Sequence, residues 1–230
     1  EKEKELSNVK TRFVSTVSHE FRTPLAAVLS SASLLAKYTK GEEQDKRDKH
    51  IARIKEGVMN LNVMLEDLLS LGKLEEGLIH AKREKFDCSE FMTDFISEMK
   101  EIARPGQEIK FIHTGNKEVI SDKRLIRNIL LNLVSNAIKF SPENSVIEIF
   151  SNADEKKLIV SVADKGIGIS KEDKQHLFER FFRARNAQNI QGTGLGLHIV
   201  SKYVELLNGE IDLQSKINSG TTFKIIIPNL

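Results

Sequence analysis

The run Ser18-His19-Glu20-Phe21-Arg22-Thr23-Pro24 brings together side chains that can carry out chemistry. A neutral imidazole, whose ordinary pKa is near ~6.5, is available as a nucleophile at cytoplasmic pH. Glu20 can accept a hydrogen bond from the other ring nitrogen and fix the tautomer, although a residue at i+1 needs a favourable rotamer to reach it. Thr23 follows four residues after His19, so its hydroxyl lies on the same face of a helix. The run therefore predicts a nucleophilic histidine with two polar assistants.

The sequence around this run predicts a long amphipathic helix. At about 100° per residue, one apolar stripe is formed by Leu6, Val9, Phe13, Val17, Leu25, Val28, Ala32 and Leu35. His19 lies roughly 160° from the centre of that stripe, so it is expected to face water. Pro24 has no N–H for the carbonyl of Glu20, and the helix should bend or loosen there. A lone exposed histidine is usually only solvated. It is the clustering of His, Glu, Thr and Pro that favours the catalytic interpretation.

The letters FVSTVSHEFRTPLAAV closely resemble the phosphoacceptor box of bacterial two-component sensor histidine kinases of the HisKA type. The resemblance implies that His19 is phosphorylated and that Glu20 assists as a base. It also implies that Thr23 helps to position water when a response regulator is dephosphorylated. The partner implied is the receiver domain of a separate response regulator.

A second group of polar residues lies on a predicted helix over 122–140. Asn132, Asn136 and Lys139 are spaced i, i+4 and i+7 and form a narrow stripe. Asparagine is a mediocre helix former, so two of them in an Ile- and Leu-rich helix need an explanation. Solvated surface or a buried hydrogen-bonded pair is the alternative for Asn132. With Lys139 one turn further on, a hard-cation ligand followed by a phosphate partner is favoured.

Asp164 ends an apolar strand and begins the letters DKGIGI. A carboxylate accepts hydrogen bonds and donates none, which matches an exocyclic amine such as N6 of adenine. Gly166 and Gly168 let the backbone pass close to a flat ligand. Alone, this pattern is a turn more often than a binding site.

The letters GTGLGL begin at Gly192, immediately before a predicted helix over 194–207. Backbone amides at the start of a helix form an anion seat suited to a polyphosphate. The pattern is neither a dinucleotide-binding fingerprint nor a P-loop. The polar stretch 183–191 before it should be a mobile lid.

In order and spacing, NLVSNAIKF, DKGIGI, LFERFFR and GTGLGL resemble the N, G1, F and G2 boxes of the histidine-kinase ATP-binding domain. This Bergerat fold is shared with gyrase, mismatch-repair and chaperone ATPases. The resemblance implies ATP and Mg²⁺ as cofactors, Asn136 as the metal ligand with Asn132 nearby, and Asp164 as the adenine reader. It makes Lys139 and Arg183 phosphate contacts. The phosphate clamp is then formed by Gly192, Thr193, Gly194, Leu195 and Gly196.

Two helices are expected to hold the histidine. The first should run to about Lys40, with Thr39-Lys40-Gly41 as its stop. The second carries a heptad seam made of Ile51, Ile54, Val58, Leu61, Leu65 and Leu68. A hairpin cannot cover both stripes alone, so the expectation is a homodimer that forms a four-helix bundle. The alternative is that the hairpin packs on the rest of the chain. Gly72 and Gly77 mark a hinge about which the catalytic domain is expected to swing.

The second half alternates short strands and helices, which predicts an α+β sandwich with one sheet covered by helices. Strands are expected over 86–88, 108–114, 119–120, 146–151, 158–163, 210–215 and 222–227, and helices over 90–103, 122–140 and 194–207. Ser121 or Asp122 is the expected N-cap of the middle helix. The predicted domains are 1–80, for dimerisation and phosphotransfer, and 81–230, for ATP binding.

Composition narrows the classes of function. The formal net charge is +2 in 230 residues, so nothing argues for nucleic acid as a partner. The single cysteine, Cys88, cannot form an internal disulfide, and a reducing cytoplasm is expected. No apolar run approaches the ~18 residues of a membrane span. The chain begins at Glu1, so a fragment or a processed product is expected, with an upstream sensor domain outside it and a parent protein that is either membrane-anchored or soluble.

The sequence therefore predicts the kinase core of a sensor histidine kinase. Two rivals remain open: a plain ATPase or Ser/Thr kinase of the Bergerat type, and a catalytically silent dimeric scaffold. The histidine box and the heptads count against the first rival, and the complete ATP motifs count against the second.

Overall fold

A computed structural model describes residues 2–38, 43–188, 190 and 192–229. The side chains of residues 2–16, 19, 56 and 59 lie outside this description, although their backbone is assigned to helices. The chain divides into two compact units. Unit 1 contains residues 1–72 and 191–193, and unit 2 contains residues 73–190 and 194–230. The predicted domain boundary near residue 80 stays a prediction.

Unit 1 is built on two long helices, α1 (Lys2–Leu35) and α2 (Gln44–Glu75), of which α2 ends three residues inside unit 2. Helix α1 continues through Pro24. The two helices approach closely at Gly57, where an added Cβ would lie 2.7 Å from Cγ2 of Val28. A hairpin of this kind was expected from the two apolar stripes.

Helix α1 ends at Leu35, earlier than the predicted Lys40. The amides of Lys37 and Tyr38 donate to the carbonyls of Leu34 and Leu35, at 3.0 and 3.2 Å. These i to i+3 bonds tighten the last turn and end the α-helical ladder. The predicted stop at Thr39-Lys40-Gly41 lies outside the described residues.

The predicted heptad seam on α2 is only partly covered within this chain. Ile51, Val58 and Leu65 are 39%, 45% and 48% exposed. Two leucines of α1, Leu25 and Leu29, are 53% and 70% exposed. The apolar surface of the hairpin thus exceeds what one copy of the described hairpin buries.

Unit 2 contains a two-stranded and a five-stranded sheet. Strands β1 (Glu84–Asp87) and β3 (Glu118–Ser121) pair antiparallel. The larger sheet has the order β2-β4-β5-β7-β6. Only β2 and β4 run parallel in it; the remaining neighbours are antiparallel. Its strands are β2 (Glu108–Gly115), β4 (Val146–Ala153), β5 (Lys157–Asp164), β6 (Glu210–Lys216) and β7 (Gly220–Pro228).

Three helices contact the larger sheet or each other: α3 (Cys88–Glu101), α4 (Lys123–Phe140) and α6 (Gly196–Leu206). Alternate residues of the central strands, such as Leu158, Val160 and Val162, are buried, as expected when helices cover one face. A helical region followed by an α+β sheet domain confirms the predicted fold class. The sequence analysis missed α5 (Lys171–Lys174), a single turn whose N-cap Ser170 accepts from the amide of Asp173.

Asp122, one of the two predicted candidates, is the N-cap of α4, and its carboxylate accepts from the amides of Leu125 and Lys82. Burial acts to raise the pKa of Asp122, but these hydrogen bonds and the nearby Arg124 outweigh it and lower the pKa. Cys88, at the start of α3, is buried. Burial and the charge of Asp87 raise the pKa of its thiol to about 11, so the group stays protonated near neutral pH.

Helix α6 begins at Gly196 rather than at the predicted Gly194. Gly194 has φ +70°, a left-handed conformation that cannot continue into a right-handed helix. The two residues between the prediction and the structure therefore form a turn that leads into α6.

Candidate functional site

Asp164 lies at the end of β5, and its carboxylate is oriented by the backbone. One oxygen, Oδ1, accepts from the amide of Gly166 at 2.7 Å and from the amide of Thr221 at 3.2 Å. Burial raises the pKa of Asp164, and the two hydrogen bonds act in the opposite direction. Because both backbone donors use Oδ1, neither of them occupies Oδ2.

The loop after Asp164 passes between two other segments with no room for side chains. A Cβ on Gly166 would lie 2.6 Å from the carbonyl oxygen of Phe140, at the end of α4. Gly168 has φ +67°, and a Cβ there would lie 2.0 Å from the carbonyl oxygen of Lys216. These glycines fix the path of the loop and therefore the position of Asp164.

Asn132 lies where α4 meets α6. Its Nδ2 donates to the carbonyl of Asn128 at 3.1 Å, and its Oδ1 would be 2.3 Å from a Cβ on Gly196. Gly196 therefore allows the close approach of the two helices. The predicted place of Asn132 beside a metal stays a prediction.

Asn136 lies one turn further along α4 and is half-buried. Among the described residues, its carboxamide has no hydrogen-bond partner. Lys139 places its Nζ 4.9 Å from the centroid of the Phe140 ring. The side-chain amide of Asn136 has an oxygen of the kind that a hard cation requires as a ligand. Asn136 lies on the predicted face of α4.

The glycine-rich segment is bound to the chain that precedes it. The amide of Phe181 donates to the carbonyl of Gly194 at 3.0 Å, and a Cβ on Gly194 would lie 2.7 Å from the carbonyl carbon of Phe181. Phe181 itself has φ +63°, a strained conformation for an aromatic residue. Leu195 is fully buried, and among the described residues no side-chain hydrogen bond caps the N-terminus of α6. The helix start keeps the electrostatic character of an anion seat.

Arg183, predicted as a phosphate contact, lies against the lid in this structure. Its Nη2 donates to the carbonyls of Ala187, Gln188 and Ile190, at 3.2, 2.8 and 2.6 Å. Asn186, in a short 3-10 helix (Arg185–Ala187), donates to the carbonyl of Gly168 at 2.8 Å. The guanidinium therefore organises the lid here. Its contact with a phosphate stays a prediction, as does the mobility of the lid, in which residues 189 and 191 lie outside the described residues.

The histidine box lies on α1. His19 is helical, and its side chain is outside the described part of the chain. Glu20 is buried, and its Oε2 accepts from the amide of Gly192 at 2.9 Å within unit 1. Thr23 is exposed. Its role and the predicted contact of Glu20 with the imidazole remain predictions.

Three contributors to these contacts were missed by the sequence analysis. Thr221 donates through its backbone amide and Asn186 through its side-chain amide, each to a distant segment, and no local pattern predicts such contacts. Asp67, on α2, accepts from the hydroxyl of Thr193 at 3.3 Å. Asp67 lies between the apolar seam positions Leu65 and Leu68, where a charged residue is ordinary, so no local pattern marks it.

Two family models match this chain. Residues 9–77 match the His Kinase A (phospho-acceptor) domain, and residues 121–230 match the histidine kinase-, DNA gyrase B- and HSP90-like ATPase. The crystallised catalytic domain of the histidine kinase ThkA is 32% identical; the match covers 64% of this chain and 96% of that one, with a TM-score of 0.57. The chain belongs to the two-component sensor histidine kinases.

Other histidine kinases resemble longer parts of the chain. The autoinducer 2 sensor kinase/phosphatase LuxQ of Vibrio parahaemolyticus is 33% identical over 96% of this chain and 27% of its own length. Full-length ShkA in complex with AMPPNP is 29% identical, with a TM-score of 0.65 over 93% of this chain and 45% of that one. The chain thus spans about a quarter of the length of LuxQ. No described helix of this histidine kinase chain is long and apolar enough to cross a membrane.

The geometry at Asp164 predicts the effect of Asp164→Asn. The amide oxygen can still accept from Gly166 and Thr221, so the fold should be kept. Its NH₂ group would replace Oδ2 and oppose the amine of adenine. A mismatched polar contact costs about 1 to 3 kcal/mol, so ATP affinity, measured by calorimetry, should fall by about fivefold to 150-fold.

The matched control is Asp154→Asn in the exposed β4–β5 turn, where one carboxylate oxygen also accepts from two backbone amides, those of Lys156 and Lys157. This variant should bind ATP as wild type does. Unchanged ATP affinity in Asp164→Asn would instead remove Asp164 from the adenine site.

Because the folded pKa of Asp164 is raised, wild type loses stability as pH rises through that pKa. The Tm of Asp164→Asn relative to wild type should therefore rise from about pH 4 to about pH 7.

Proposed function

We propose that this chain is a kinase core that transfers the γ-phosphoryl group of ATP to His19 and then to an aspartate of a response regulator. The observation that carries the proposal is the arrangement in unit 2. It combines a carboxylate oriented by the backbone, an asparagine with no partner among the described residues and a glycine turn that leads into the start of α6. Such a set offers one acceptor for a base, one oxygen for a cation and backbone amides for phosphates.

In this proposal Asp164 accepts from the N6 amine of adenine, and Gly166 and Gly168 allow the base to approach the backbone. The phosphates contact the segment from Gly192 to Gly196, together with Lys139 and Arg183. Asn136 holds Mg²⁺ with Asn132 nearby, and the ion neutralises phosphate charge when it is bound. The likeness to ShkA, which was solved with an ATP analogue, supports a nucleotide ligand of this class.

The chemistry at His19 is a phosphoryl transfer. The unprotonated ring nitrogen forms a bond to the γ-phosphorus, the bond from that phosphorus to the bridging oxygen breaks, and ADP leaves. Glu20 takes up the proton of the other ring nitrogen or holds it in place. The bond from nitrogen to phosphorus then breaks as a carboxylate oxygen of the regulator's aspartate bonds to the phosphorus. The other ring nitrogen has kept its proton or takes it back from Glu20, which regenerates the neutral imidazole. Catalysis of this kind depends on positioning and charge neutralisation.

A homodimer is part of the proposal. The exposed apolar side chains of the hairpin, including Leu25, Leu29, Val58 and Leu65, form a face that a second hairpin would cover. The match to the phosphoacceptor domain supports a four-helix bundle as the form in which the chain acts.

Labelling with Mg²⁺ and γ-labelled ATP tests the proposal. The protein should acquire label that is labile in acid and stable in alkali, and His19→Gln should abolish it. ATP affinity should stay within about twofold of wild type, because the nucleotide contacts proposed here do not include the imidazole. Release of phosphate without labelled protein would instead support a plain ATPase. Failure to consume ATP would support a silent scaffold.

Thr23→Ala tests whether the same helix serves regulator dephosphorylation, an activity that the name of LuxQ also includes. A hydroxyl on the face of His19 is suited to hold a water in line with an aspartyl phosphate. We expect dephosphorylation of the regulator to fall tenfold or more, about 1.4 kcal/mol of barrier, while much of the self-phosphorylation remains. Thr23→Ser is the matched control, because it keeps the hydroxyl. A parallel loss of both rates and of Tm would mean that Thr23 only supports the helix beside Pro24.

A further inference from the structure

Two buried carboxylates on the helices contact consecutive residues of the glycine-rich segment. Within unit 1, the amide of Gly192 donates to Glu20 at 2.9 Å, and the hydroxyl of Thr193 donates to Oδ2 of Asp67 at 3.3 Å. Glu20, Asp67 and Thr193 are 7%, 9% and 7% exposed. Removing a carboxylate from water is costly unless hydrogen bonds compensate, so these contacts contribute to the burial of both groups.

The two contacts tie the segment to both helices. Gly192 contacts α1 through Glu20, the residue that follows His19 in the chain. Thr193 contacts α2 through Asp67. A hydroxyl has one hydrogen to donate, so its use by Asp67 orients the Thr193 side chain toward α2. Rotation of Thr193 away from α2 would break this bond and remove one of the two contacts that hold Gly192 and Thr193 on the helices.

We propose that Asp67 is a positioning residue for phosphoryl transfer to His19. It acts through Thr193 and keeps the neighbouring amide of Gly192 on Glu20, so that these two residues of unit 1 stay beside the histidine box. This inference rests on the proposed function, because it assigns Asp67 a part in the same transfer. It adds a residue of α2 to a reaction whose other proposed residues lie on α1 and in the ATP-binding part of the chain.

A double-mutant cycle tests the inference. Asp67→Ala and Thr193→Val should each slow labelling of His19 about tenfold at saturating ATP. The double variant should be no slower than the slower single variant, because all three lack the same contact. For Asp67→Ala the loss should lie in kcat, with KM for ATP within about twofold of wild type.

Conservative variants and a neighbouring control separate positioning from folding. Asp67→Asn keeps an acceptor and Thr193→Ser keeps the donor, so both should retain most of the labelling rate. Glu66→Ala, at the adjacent and exposed position of α2, should label as wild type does. Melting temperatures of all variants show whether a loss of rate merely follows a loss of fold.

The outcomes distinguish this inference from the proposed function. If wild type takes no label on His19, the proposed function fails and the inference falls with it. If wild type is labelled but Asp67→Ala labels as fast as Glu66→Ala, the inference alone is wrong. It is also wrong if the two single effects multiply in the double variant, or if Asp67→Asn is as slow and as unstable as Asp67→Ala.

Discussion

The candidate site in unit 2 depends on the orientation of the Asp164 carboxylate. Backbone amides from two separate segments, at Gly166 and Thr221, donate to the same oxygen. The approach of the second segment requires Gly220, where a Cβ would lie 1.9 Å from the carbonyl oxygen of Asp164. Ladder pairing of β5 with β7 brings these segments together. The sheet register thus determines which oxygen remains available to a ligand.

Close approach between segments also explains the positions of several glycines in this histidine kinase. Gly166 and Gly168 bring the loop against α4 and the turn before β7, while Gly196 brings α6 against Asn132. Each is a place where backbone must approach backbone or a polar side chain closely. The glycines therefore serve the shape of the site as well as the ligand that the sequence predicted for them.

Much of this arrangement could be predicted from local patterns. The alternation of apolar residues gave most strands to within about two residues, and Asp122 was identified as a helix cap from its chemistry. The histidine and ATP boxes predicted the family, which the family models confirm. These features depend on neighbours in the chain, which a sequence displays directly.

Features that depend on contacts between residues far apart in the chain could not be predicted from local patterns. The start of α6 was misplaced because the left-handed conformation of Gly194 accompanies its contact with Phe181. Arg183 binds three lid carbonyls, which no local pattern predicts, and its contact with a phosphate stays a prediction. The burial of Glu20 and its bond to Gly192 join residues far apart in the chain. A sequence pattern identifies a side chain that can bind a partner, whereas the fold determines which residue it contacts.

The central claim is that Asp164 reads the amine of adenine, and a comparison of two nucleotides tests it most directly. Inosine triphosphate carries a carbonyl oxygen where ATP carries the N6 amine, so it would place an acceptor against the carboxylate. Wild type is predicted to bind inosine triphosphate about fivefold to 150-fold more weakly than ATP, since a site with an unmatched polar group loses about 1 to 3 kcal/mol. Equal affinity for the two nucleotides, measured by calorimetry under the same conditions, would contradict it.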